Sequence, residues 1–112
     1  MFDKRKSTRY RASARALISG ALEGDHLLKD LSITGCRVEC SVYADIKPGT
    51  IYTVEILPES ASNIEAFELQ VETKWLRASG YSCDVGFYIV ESPKGKGFQR
   101  YVDYLAWRNE AV

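Results

Sequence analysis

Phe67-Glu68-Leu69-Gln70-Val71-Glu72-Thr73-Lys74-Trp75 changes character at every residue. Phe67, Leu69, Val71, Thr73 and Trp75 fall on one side of an extended chain, and Glu68, Gln70, Glu72 and Lys74 fall on the other. Side chains alternate across a β-strand, so this period of two reads as a strand with one face on a core and one in water. An antiparallel sheet tolerates that asymmetry, whereas a parallel sheet covered on both faces does not.

The flanking stretches repeat the pattern. Ser79-Gly80 supplies a turn, after which Tyr81, Cys83, Val85, Phe87 and Ile89 alternate with Ser82, Asp84 and Gly86. Before it, Pro58 to Asn63 is turn-like, and Ile51 to Leu57 reads as a strand with Tyr52, Val54 and Ile56 facing in. Lys47-Pro48-Gly49 is a further turn signal. Further upstream, Gly35 to Ser41 places Cys36, Val38 and Cys40 on one face, His26 to Ser32 forms another strand, and Ser13 to Ser19 carries Ala14, Ala16 and Ile18. Six short strands joined by short turns predict a six-stranded antiparallel β-barrel, an all-β fold.

The end of the chain changes period. Phe98, Tyr101, Val102, Leu105 and Ala106 recur at helical spacing on one face, so a C-terminal helix closes the fold. Ser92-Pro93 offers a cap and first-turn residue for it. The 112 residues form one domain. Its expected parts are a flexible basic arm (1–11), a barrel (12–91) and a helix (94–110). Trp75 and Trp107 read as packing residues, and His26, a lone strand histidine, reads as a surface residue.

Net charge is zero, but it is unevenly placed. Residues 1–15 carry Lys4, Arg5, Lys6, Arg9, Arg11 and Arg15 against Asp3 alone, a balance of +5 that the rest of the chain offsets. A basic arm on an acidic body favours an anionic partner at the arm, and makes a nucleic-acid coat over the whole protein a poor fit. The charged N-terminus has no apolar signal region, and the longest apolar runs fall far short of a bilayer span. No membrane insertion is expected. Cys36, Cys40 and Cys83 are an odd set, consistent with reduced thiols in a cytoplasm. Cys36 and Cys40 on one strand lie about 13 Å apart, too far to bridge. The absence of a CxxC pair speaks against zinc, and all three thiols read as small core residues.

Lys29-Asp30-Leu31-Ser32-Ile33-Thr34-Gly35 joins two of the strands through a polar turn. Asp30 and Ser32 are two apart and share a face of an extended chain. Gly35 permits a positive φ or the close approach of a ligand. An ordinary Asp/Ser turn is the plain reading. Upstream, Arg5 and Arg9 stand four apart in Arg5-Lys6-Ser7-Thr8-Arg9. An RxxxR arm followed by D-x-S-x-x-G resembles the PilZ domain, the cyclic-di-GMP receptor module of bacteria, over nearly the whole chain. The resemblance implies the same barrel and helix, no catalysis, and a ligand held by Arg5, Arg9, Asp30, Ser32 and Gly35. Arg37, just past the motif, offers a further cation or is a solvated strand residue. Lys4 stands where the family often has Arg, a position that influences whether one or two ligand molecules bind. The run Gly86-Phe87-Tyr88-Ile89 replaces the frequent Gly-x-x-Phe.

The chemistry suits such a ligand. An Arg fork meets phosphate oxygens or the guanine O6/N7 edge in bidentate fashion and stacks on purines. Asp30 can accept from guanine N1–H and N2–H₂, and Ser32 can donate to a phosphate. An enzyme fits poorly: His26, Asp30 and Ser32 project in parallel from one strand where a triad must converge. Glu65, Glu68 and Glu72 read as a solvated face, and there is no phosphate-binding Gly loop. No cofactor is expected. The expected function is a cytoplasmic cyclic-di-GMP receptor or adaptor with a downstream protein partner. The alternatives are a PilZ-like module that binds only proteins, or a single-stranded nucleic-acid barrel.

Overall fold

The structure, a computed structural model, describes residues 8–19, 26–41, 46–91 and 95–108. Six strands, β1 (Tyr10–Ile18), β2 (His26–Leu31), β3 (Gly35–Ser41), β4 (Ile51–Leu57), β5 (Phe67–Ser79) and β6 (Ser82–Glu91), precede one helix, α1 (Gly97–Trp107). The strands close into an antiparallel barrel in the order β1-β2-β3-β6-β5-β4, with β4 returning to β1. Closure leaves no sheet edge exposed.

Alternation fills the interior. Ala12, Ala14, Ala16 and Ile18 of β1, Tyr52, Val54 and Ile56 of β4, Phe67, Leu69 and Val71 of β5, and Val85 and Phe87 of β6 are buried. Ala rather than Leu along β1 lets the large residues of β4 and β5 fill the space across from it. His26 is buried too, contrary to the surface position expected of it. The first strand begins at Tyr10, so Tyr10 and Arg11 belong to the barrel and not to the arm; residues 1–7 lie outside the described residues.

The helix covers one side of the barrel, against β1 and β5. Phe98, Tyr101, Val102 and Leu105 are buried beneath it. The Phe98 and Tyr101 rings meet Phe67 at 6.1 and 5.9 Å. Tyr101 Oη donates to Glu59 Oε1 at 2.6 Å, and Arg108 Nη1 donates to Glu59 Oε2 at 3.0 Å. One carboxylate before β5 therefore anchors both halves of the helix. Burial, with the Glu59 hydrogen bond second, pushes the Tyr101 phenol well above its ordinary value. The helix starts at Gly97 behind Lys96, with no side-chain cap, later than the expected 94, and residues 92–94, including Ser92-Pro93, lie outside the described residues. Trp107 is 80% exposed at the helix end instead of packed in the core.

The two faces of α1 give the first expected outcome. Leu105→Ala should cost about 2–5 kcal/mol, the range for truncating a buried leucine. Trp107→Ala should stay within about 0.5 kcal/mol, as surface substitutions do. Urea unfolding followed by far-UV circular dichroism measures both. Equal losses would contradict the assignment of the helix faces.

Candidate binding face

Strict alternation from Leu28 would turn Asp30 into the barrel and Leu31 out. The register instead shifts between Leu28 and Asp30. Leu28 pairs with Val38 and Leu31 with Cys36, all four buried, while Asp30 is paired with Arg37. The bulge at Lys29 thus keeps both leucines in the core and places the Asp30 carboxylate on the outer wall.

Charged side chains cover it there. Arg9 Nη1 donates to Asp30 Oδ1 at 2.8 Å, and Arg37 Nε donates to Asp30 Oδ2 at 2.9 Å. The Asp30 side chain is only 5% exposed, against 41% for Arg9 and 33% for Arg37. Arg37 Nη1 also reaches Asp84 Oδ2 at 3.3 Å. The result is a chain of alternating charge, Arg9–Asp30–Arg37–Asp84, that crosses β2, β3 and β6. The buried Cys36 thiol lies behind it: burial first, then the Asp30 charge, pushes that thiol up to about 12.

The row continues across the sheet. Arg37 is opposite Gly86, and Gly86 is opposite Trp75. A second register shift, between Thr73 and Trp75, reverses β5. Thr73 is buried, but the Trp75 ring lies outside, over Gly86, where a Cβ would stand 2.3 Å from the indole. Only glycine at 86 lets the ring lie flat on the barrel wall. The Arg77 guanidinium sits 5.4 Å from the Trp75 ring. Trp75 is therefore a surface aromatic beside Arg37, not the core residue that the alternation predicts.

Ser32 and Gly35 form the adjoining turn. Ser32 Oγ accepts from the Thr34 and Gly35 N–H groups at 3.2 and 3.1 Å and lies 3.3 Å from the Gly35 carbonyl, to which it donates. The Ser32 N–H donates to the same carbonyl at 2.8 Å. Ser32 is 1% exposed, so its hydroxyl serves the turn itself. Gly35 is not among the residues with positive φ. Glycine is required because a Cβ would stand 2.5 Å from the Phe87 carbonyl oxygen, which would push β6 away from β3.

Of the expected site residues, the structure brings together Arg9, Asp30 and Arg37, with the Ser32–Gly35 turn at the end of the same strand pair. Arg5 lies outside the described residues. Asp84 and Trp75 are additions that the motif does not contain. Asp84 reaches Arg37 only through the pairing of β3 with β6, and Trp75 was hidden by the bulge. The face is open. A cleft of about 1040 Å³, lined by Phe67, Glu68, Lys96 and Arg100 among others, lies elsewhere, between β5 and the start of α1.

If Ser32 holds the turn, Ser32→Ala leaves two backbone N–H groups without their acceptor and should cost about 1–3 kcal/mol. Gly35→Ala should cost a similar amount, about 1–3 kcal/mol, by overpacking against Phe87. Urea titrations in buffer alone test both. A wild-type midpoint for Ser32→Ala would show that the hydroxyl does not support the turn.

Among the described residues no helix is long and apolar enough to cross a membrane. Among solved structures, the inhibitor of motility MotI/DgrA of Bacillus subtilis has a similar fold, with a TM-score of 0.79 and 14% identity over 96% of this chain. The match takes in 52% of that protein, so the chain spans about half its length. No curated protein matches by sequence. The family model for the PilZ domain matches residues 3–104, a span that runs from before Arg9 through most of α1. The chain belongs to the PilZ domain family.

Proposed function

We propose that this chain is a cyclic-di-GMP receptor that acts as an adaptor, without catalysis of its own. One observation carries the reading: the Asp30 carboxylate is buried between Arg9 and Arg37 on an open outer face. A carboxylate so placed fixes two guanidinium planes side by side. Each guanidinium has five N–H donors, enough to meet a carboxylate and a phosphate or guanine edge together. Trp75 adds a flat aromatic surface in the same row, suited to a purine ring. The Ser32–Gly35 turn sets the height of the wall where the dinucleotide lies.

Asp30 has two roles in this reading. It orients Arg9 and Arg37, and it accepts from guanine N1–H and N2–H₂ once Arg9 swings toward the ligand. Ligand and Asp30 then compete for one guanidinium. The arm residues before Tyr10, with Arg5, close over the dinucleotide, and a downstream protein reads the remodelled surface. A neighbour of the same fold is named an inhibitor of motility, an output that suits an adaptor.

Isothermal titration with cyclic di-GMP, cyclic di-AMP and a single-stranded DNA oligomer tests the class of ligand. Cyclic di-GMP should bind best, and Arg9→Ala should lose on the order of 2–4 kcal/mol of binding. Wild-type affinity in both Arg9→Ala and Arg5→Ala would refute the site. Asp30→Ala should weaken cyclic di-GMP and reduce discrimination against adenine, because a site that hydrogen-bonds a group rejects analogues lacking it. Equal wild-type affinity for the two cyclic dinucleotides would remove guanine reading from the proposal.

Amide hydrogen exchange tests the arm. Tyr10 and Arg11, in β1, should be protected with or without ligand, whereas residues 1–9 should gain protection only at saturating cyclic di-GMP. Unchanged exchange at those positions would rule out signalling by the arm.

A further inference from the structure

We infer that Cys40 and Cys83 are a dithiol pair that closes to a disulfide under peroxide, a reversible modification site at the end of the barrel. Cys40 of β3 is directly opposite Cys83 of β6 in an unbroken register running from Gly35↔Tyr88 to Ser41↔Ser82. Cys40 is buried and Cys83 half-buried, both on the inward-facing side of their strands, in step with Val38 and Val85. Directly opposed residues in an antiparallel pair have Cα atoms about 4.5–5.5 Å apart. A disulfide requires about 4.4–6.8 Å, so the backbone already holds the two cysteines at bridging distance. Cys36 does not compete: it faces Phe87, and it lies about 13 Å along the strand from Cys40.

The surroundings give the chemistry a direction. A hollow of about 410 Å³ opens at this end of the barrel, lined by residues that include Arg15, Glu39, Cys40 and Tyr81. Cys40 borders it, while Cys83, outside its lining, is only half-buried. Burial, followed by the Cys83, Asp84 and Glu39 charges, pushes the Cys40 thiol up to about 12. Cys40 is thus a poor first nucleophile, and the more exposed Cys83 reacts first.

The Cys83 thiolate attacks hydrogen peroxide. An S–O bond forms, the O–O bond breaks, and the departing hydroxide takes a proton to leave as water. The Cys40 sulfur then attacks the Cys83 sulfenic sulfur. The S–S bond forms, the S–O bond breaks, and the hydroxyl leaves as a second water with the Cys40 proton. Two thiols lose two electrons in total, and one peroxide becomes two waters. The closed loop contains all of β4 and β5, and the bridge would staple β3 to β6 beside Asp84, the residue that holds Arg37.

The test uses the whole chain. The protein is treated with hydrogen peroxide at neutral pH, free thiols are blocked with iodoacetamide in denaturant, and peptides are mapped by mass spectrometry without reductant. The expected result is a Cys40–Cys83 cross-link, an alkylated Cys36, a monomer on a non-reducing gel, and three alkylated thiols after dithiothreitol. The link should persist in Cys36→Ala and vanish in Cys83→Ser, with circular dichroism confirming that both variants fold. Three alkylated thiols after peroxide, a link through Cys36, a covalent dimer, or Cys83 carried to sulfinic or sulfonic acid without a bridge would overturn the inference.

Discussion

The charged row on the outer wall of this barrel depends on a carboxylate that water barely touches. The Asp30 side chain is 5% exposed, and both its oxygens accept from guanidinium groups. Withdrawing an ion from water costs several kcal/mol, and only well-placed partners offset that cost. Removing one partner would leave the charge buried and half-satisfied. Arg9 and Arg37 are therefore as much a condition for Asp30 as Asp30 is for them. This mutual dependence fixes where the chain enters β1, since Arg9 immediately precedes Tyr10. It also fixes the plane of Arg37, which a second carboxylate, Asp84, holds from β6.

A barrel wall that alternates strictly could not build this face. Two shifts of register reverse inside and outside where needed. One lies between Leu28 and Asp30 and lets Leu28 and Leu31 both reach the core while Asp30 stays on the wall. The other lies between Thr73 and Trp75 and turns the indole outward. Two glycines then accept what the shifts create: Gly86 makes room for the Trp75 ring, and Gly35 lets the Phe87 carbonyl approach. Bulges and glycines are each locally unfavourable in a strand, and their concentration around one face marks it as built for something other than stability.

The same shifts decide what could be read from sequence. β3 and β4 were legible to the residue because their alternation is unbroken and their inward residues are plainly apolar. Trp75 was not, because a period of two carries no sign of the extra residue that flips it. His26 was misread because it lies at the end of its strand, where its neighbours say little about which side it faces. Ser32 was legible as a member of the motif, but the bonds its hydroxyl makes within the turn were not, because they depend on how the chain folds back at Gly35. Asp84 needed the pairing of β3 with β6, a contact between distant parts of the chain that no local pattern contains.

On the proposed reading, an open face held by charge pairs lets a small barrel meet an anionic dinucleotide without a cleft. The guanidinium of Arg37 is already held by Asp30 and Asp84, so little of its side-chain entropy remains to be lost when a ligand arrives. The opposing cost is that the same carboxylate competes with the ligand for Arg9. Net affinity in the proposed reading is thus a difference between two charge-assisted contacts and not the sum of new ones. Such a difference is easily tuned by small changes around the pair, at Asp84, at Lys4 or at the arm, without disturbing the core. The proposed receptor role needs this property, because a threshold must match the ligand's concentration while the barrel that carries it stays folded.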